Sequence, residues 1–148
     1  MKSISFRNHI SIQAPAIDIY EYLMEPSNLI HLHPLIIDVK LLQIEKTGST
    51  RVEIQDKIML FDLIPLYKKY EASFTSIKQN QQLQLETFTS PGIHIKNTIT
   101  LYESDFETEV DEMVHVDAPT WISRFVMKQI KFSHGEMLKS LKKTLELS

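Results

Sequence analysis

The chain has no cysteine among its 148 residues, so disulfides, thiolate zinc sites and cysteine nucleophiles are excluded and stability must come from packing and hydrogen bonds. Glycine is almost as scarce, at positions 48, 92 and 135 only, and no Gly-rich phosphate loop can be built from those three. The G-x-S-x-G elbow and the H-E-x-x-H helix are also missing, which removes the common hydrolase and zincin signatures. No apolar run approaches the ~20 residues of a membrane span, and the opening stretch MKSISFRNHISIQAP lacks the unbroken apolar centre of a signal peptide. A soluble, unprocessed, cytoplasmic protein is expected. An excess of positive charge is lacking too: a net charge of −3 and a pI near 6.1 offer no field for phosphate backbones, so nucleic acid is not an expected partner.

What is present is ordinary globular material, since 43% hydrophobic and 24% charged residues fit neither a disordered nor a fibrous chain. The length suits one domain, 1–148, able to bury roughly 70% of the surface of its unfolded chain. Ile4, Phe6, Asn8, Ile10 and Ile12 alternate with polar residues, the pattern of a half-buried strand. Ala14-Pro15 then opens a helix in which Ile17, Tyr20, Leu23 and Met24 recur at helical spacing, because proline suits a first turn. Pro26 ends that helix and Pro34 a second, shorter one.

From there to about residue 117 the period changes. Five or six segments rich in β-branched and aromatic residues are separated by Lys46-Thr47-Gly48-Ser49, a Pro65 corner, Lys78-Gln79-Asn80-Gln81, Ser90-Pro91-Gly92 and Glu103-Ser104-Asp105, which predicts successive antiparallel strands. After Ala118-Pro119-Thr120, an apolar stripe of Ile122, Val126, Ile130, Met137, Leu138, Leu141 and Leu145 predicts one amphipathic helix of about 28 residues, widened at its start by Trp121 and Phe125. The expected architecture is therefore α+β: a curved antiparallel sheet of about seven strands, two short helices after the first strand, and a long C-terminal helix packed across the sheet.

That order, with Ala14-Pro15, Ile19-Tyr20-Glu21-Tyr22-Leu23, Glu25-Pro26-Ser27-Asn28-Leu29, His33-Pro34-Leu35, Val116-Asp117-Ala118-Pro119 and Leu138-Lys139-Ser140-Leu141-Lys142, resembles the START/Bet v 1-like superfamily, also called SRPBCC or polyketide cyclase-like, over nearly the whole chain. The resemblance implies a helix-grip fold with a hydrophobic cavity between sheet and long helix. Its members carry lipids, sense hormones, or cyclise and dehydrate polyketide chains. It supplies no catalytic motif that transfers residue by residue, so fold is a weak guide to function here.

Candidate site residues come from interruptions in the apolar strand faces. Asn8, Asp56, Asn97 and Glu112 each break one face near its middle, and strict alternation points all four inward. A β-bulge in any of these strands would send the side chain to solvent instead. Unpartnered buried polar groups cost on the order of 1–3 kcal/mol, so the four must meet one another, water or a ligand. His134 lies on the helix stripe, next to Gly135 where backbone could approach or the helix could bend, and Tyr70 shares the inward parity of Ala72 and Phe74. Asp56, Glu112 and His134 are the acid and base candidates, because burial moves carboxylates and histidine towards neutrality. Asn8, Asn97, Tyr70, Trp121, Phe125 and Ile130 complete the expected ligand-binding set.

His31-Leu32-His33 lacks an assigned third ligand, so it is read as loop or pocket rim and no metal or other cofactor is expected. His9, His94 and His115 fall out of register with the apolar sets and are expected at the surface. Lys128, Lys131, Lys139, Lys142 and Lys143 form a solvated face that can also assist transient docking on anionic membranes. Three functions remain open at this point: carriage of a hydrophobic or amphipathic small molecule, cyclase or dehydratase chemistry on a polyketide-like carbonyl compound, and protein interaction by a domain with a filled core. Oligomeric state is not legible.

Overall fold

The computed structural model describes residues 1–45, 48–60 and 63–147. Lys46 and Thr47 of the first predicted turn lie outside them. Seven strands, β1 (Lys2–Ile12), β2 (Ile36–Ile44), β3 (Ser49–Leu60), β4 (Ile64–Lys78), β5 (Gln82–Thr89), β6 (Ile93–Glu103) and β7 (Thr108–Ala118), are joined in the order β1-β7-β6-β5-β4-β3-β2. Every neighbouring pair is antiparallel. Helices α1 (Ala16–Met24) and α2 (Leu29–Leu32) follow β1, and α3 (Ser123–Glu146) follows β7, which is the helix-grip arrangement expected.

Strand periodicity survives into burial most cleanly in β7, where Thr108, Val110, Glu112, Val114, Val116 and Ala118 are all buried and the residues between them are not. Register shifts occur between Ile36 and Asp38, between Leu41 and Gln43, and between Ser76 and Lys78. The first of these lies opposite Asp56, where β2 carries the extra residue against the Gln55–Asp56 step of β3. The β3–β4 ladder at Asp56 and the ladders at Asn8, Asn97 and Glu112 are regular there, so alternation holds within the strands that carry these four residues. At Asn80 and Gly92 the hairpins turn through positive φ values of 62° and 92°, a conformation that asparagine and glycine tolerate.

The structure departs from the sequence reading in several local ways. Pro15 caps α1 in extended geometry rather than sitting inside it. The buried stripe of α1 is Ala16, Ile19, Tyr20 and Leu23, spaced i, i+3, i+4, i+7, which leaves Ile17 outside the stripe and 44% exposed. Pro65 is not a corner but the second residue of β4, opposite Met59, where a missing N–H is tolerated near a strand end. The long helix has 24 residues, not about 28, because Thr120–Ile122 forms a separate 3-10 turn. Gly135 lies within the continuous α3, and a Cβ there would meet nothing within 4 Å, so close backbone approach is not its role.

The interior is divided. Met137, Leu138 and Leu141 from the second half of α3 pack with α1 and with Ile12, Leu83, Ile99 and Val110. Val126, Met127 and Ile130 from the first half pack against β6 and β7. A third cluster of Leu29, Ile36, Val52, Ile54, Ala72 and Phe74 joins α2 to β2, β3 and β4. The sheet is therefore filled at one end and split at the other. Leu141, fully buried in the filled end, is expected to cost about 3 kcal/mol on truncation to alanine, read as a lowered urea midpoint with an unchanged slope.

Candidate functional site

Between the two clusters of the split end lies a cavity of about 280 Å³. Its walls come from β3 to β6, from α2 and the chain running from it into Ile36 at the start of β2, from the 3-10 turn before α3, and from α3 as far as Met137. Most of the lining is aliphatic or aromatic; besides Gln129 and Ser133 on α3, the polar lining residues and the side chains that hold them form three groups.

The first group is built on β1, β7 and α3. Asn8 stands directly opposite Glu112 in the β1–β7 ladder, so both side chains share the inner face. Asn8 Nδ2 donates to Glu112 Oε1 at 3.0 Å. His134 Nδ1, assigned as protonated from this network, donates to Glu112 Oε2 at 2.7 Å. Glu112 is wholly buried, and His134 is 6% exposed. Only His134 of these three lines the cavity. Asn8 and Glu112 stand behind it and fix its ring.

His33, where the chain leaves α2, meets that ring edge-on at 5.6 Å between centroids. Its Nδ1 is buried without a partner in the protein. Burial, helped by the charge of His134, holds His33 down at about 3.

The second group lies across the cavity on β3 and β4. Tyr70 donates its hydroxyl to Asp56 Oδ1 at 3.0 Å, and Lys68 is the cross-strand partner of Asp56. Burial pushes the Asp56 carboxyl up to about 6, against the hydrogen bond from Tyr70 and the charge of Lys68, which pull it down. Burial, reinforced by Asp56, pushes the Tyr70 phenol up as well.

Between these groups sits the third, Asn97 on β6 with Thr87 and Thr89 on β5. Asn97 is 1% exposed, and both of its amide atoms lack a partner, as do both threonine hydroxyls. All three residues line the cavity.

The acid and base trio expected from sequence is therefore divided. Glu112 and His134 touch; among the described residues no hydrogen bond or ion pair joins them to Asp56, which lies four strands away in the sheet order. Ile130 lines the wall, while Trp121 and Phe125 stand at the mouth, 77% and 46% exposed. Sequence reasoning missed Thr87 and Thr89, although they continue the inward parity of Leu83 and Leu85. It read His33 as rim, and the structure places it in the wall. His31 is exposed, so the two histidines do not share a face, and among the described residues no group of three metal-ligating side chains forms. His94 is more enclosed than a surface residue: it stacks on Phe88 at 4.3 Å and lies 3.3 Å from Glu86.

Asp56 and His33 give opposite pH dependences. The folded carboxyl at about 6 lies above its ordinary value, so its stabilising contribution is complete below about pH 4 and lost as pH rises through 6. The folded imidazole at about 3 lies below its ordinary value, so its contribution is complete above about pH 6.5 and lost as pH falls towards 3. Thermal unfolding should show Asp56→Asn gaining roughly 5 °C at about pH 7.5 and almost nothing at about pH 4. His33→Gln should flatten the acid limb instead.

No family model matches the chain, and no curated protein matches it in sequence. Solved structures do match. The aromatase/cyclase Zhui from Streptomyces sp. R1128 superposes with a TM-score of 0.80 at 10% identity, over 98% of this chain and 94% of that one. The di-domain aromatase/cyclase BexL from the BE-7585A biosynthetic pathway gives 0.79 at 16% identity over 97% of this chain. This chain spans 50% of that protein's length. A START superfamily protein from Mycobacterium smegmatis gives 0.74 at 11% identity, over 97% of both chains. At these identities the likeness is one of fold.

Proposed function

The chain has the helix-grip fold of the START/Bet v 1-like superfamily, and we propose that it binds a hydrophobic or amphipathic small molecule between sheet and α3. One observation carries this reading: Asn97, Thr87 and Thr89 present unpartnered polar atoms inside a mostly apolar cavity. Each such group is costly unless something bonds to it, and a greasy molecule with a carbonyl or hydroxyl group would do so. The volume of about 280 Å³ is close to the lower end of small-molecule pockets, which favours a compact occupant. A filled core, the third expectation from sequence, is not what such a cavity supports.

A polyketide-like carbonyl compound is the ligand class that the aromatase/cyclase likenesses favour. A second reading, cyclase or dehydratase chemistry on that compound, is favoured by the position of His134. With Nδ1 held by Glu112, the ring is left with Nε2 as its free acceptor, suited to taking a proton from a substrate. Asp56, at about 6, is suited to giving one from the other wall.

Native mass spectrometry followed by organic extraction should recover a stoichiometric hydrophobic molecule. A clean apo mass together with indifference to lipophilic probes would reject the binding reading. Asn97→Leu should raise the thermal midpoint, since it removes unpaired buried groups, while weakening ligands with a polar end about tenfold. Turnover of a polyketide-like carbonyl compound, if His134 is the base, should fall roughly a hundredfold in Glu112→Gln with binding retained. Unchanged turnover in that variant would reject the catalytic assignment.

A further inference from the structure

The cavity does not open into plain solvent. Leu35, Ile58 and Gln129 line both the cavity and an adjoining groove whose other walls include Lys57, Met59, Lys128 and Phe132. Around this mouth, large apolar side chains face outward. Met59 is 42% exposed and Leu66 44%; across from them Trp121 is 77% exposed and Phe132 56%. Clustered exposure of this kind marks an interaction surface.

The same segments concentrate positive charge. Residues 57–70 contain Lys57, Lys68 and Lys69 against the single acid Asp62, and residues 119–135 contain Arg124, Lys128 and Lys131 with no acid, in a chain whose net charge is −3. Lys131 leans over the Phe6 ring of β1. Lys57 and Lys128 border the groove, while Lys68 lines the cavity and donates to the Ser90 carbonyl.

We infer that the mouth docks on an anionic lipid bilayer. A second copy of the chain is a poor occupant, because a two-fold contact would set these lysines against their own equivalents. A bilayer matches both halves of the pattern: tryptophan settles at the headgroup level, apolar tips enter the acyl boundary, and lysine stems lie on apolar surface with their ammonium groups among lipid phosphates. Of the five lysines along α3, Lys128 borders the groove and belongs to this surface. This inference rests on the ligand-binding reading: docking would place the cavity entrance where water-insoluble ligands reside.

Trp121 is the only tryptophan, so its emission reports the event. With phosphatidylcholine vesicles containing phosphatidylserine, the protein should co-sediment and the emission should shift to the blue. Both effects should vanish without phosphatidylserine or in high salt. A Lys57→Glu, Lys128→Glu double variant should bind about tenfold more weakly or worse, while Lys143→Glu, an exposed lysine near the far end of α3, should bind within roughly twofold of the parent. Absent binding, equal loss in the two variants, or a dimer that Phe132→Ser dissolves would overturn the inference. Lipophilic-probe binding without vesicles separates the two failures. A protein that takes up probe but ignores vesicles overturns docking alone, and one that docks but takes up no probe overturns the ligand-binding reading alone.

Discussion

The structure depends on an unequal contract between one helix and one curved sheet. Along its second half α3 buries Met137, Leu138 and Leu141 against α1 and the sheet, and that end is closed. Along its first half it buries Val126, Met127 and Ile130 against β6, β7 and the edge strand β1, while β3 and β4 close instead with α2 and β2. A twisted sheet curves away from a straight helix, and the helix cannot fill both walls where the separation is widest. The cavity is that separation, and each feature of the site follows from which wall a residue belongs to.

On the α3 wall the arrangement is rigid. A wholly buried glutamate accepts from an asparagine directly across the ladder and from a histidine on the helix, so tautomer and ring orientation are set together. On the opposite wall the carboxyl of Asp56 has one hydroxyl donor and a lysine neighbour and sits at about 6. Between them the amide of Asn97 and the hydroxyls of Thr87 and Thr89 have no partner in the protein. The site thus grades from fully satisfied to unsatisfied polar groups, and the unsatisfied end is where a ligand's own polar atoms would be worth most.

Binding and catalysis make different demands on this geometry. Binding needs only the apolar walls and the unpartnered amide and hydroxyls, which are present on β5 and β6. Catalysis by the residues singled out from sequence needs a substrate long enough to touch His134 and Asp56 at once, because no contact joins the two. The likeness to aromatase/cyclases and to a START protein concerns the shared scaffold, on which both kinds of function can be placed.

Period, turn chemistry and proline positions were enough for the architecture. Strand alternation needs no knowledge of neighbours, so the element order, the two short helices and the inward parity of Asn8, Asp56, Asn97 and Glu112 were legible from the chain alone. Pairing was not. That Asn8 faces Glu112 is a matter of β1–β7 register, and that Asp56 stands four strands from Glu112 is a matter of strand order. The enclosure of His33 depends on where α2 packs. Local sequence determines which face a side chain takes, because that follows from backbone geometry within one element. Only tertiary structure decided which inward groups meet and which remain without a partner, because distances between elements are set by how the whole sheet curls around α3.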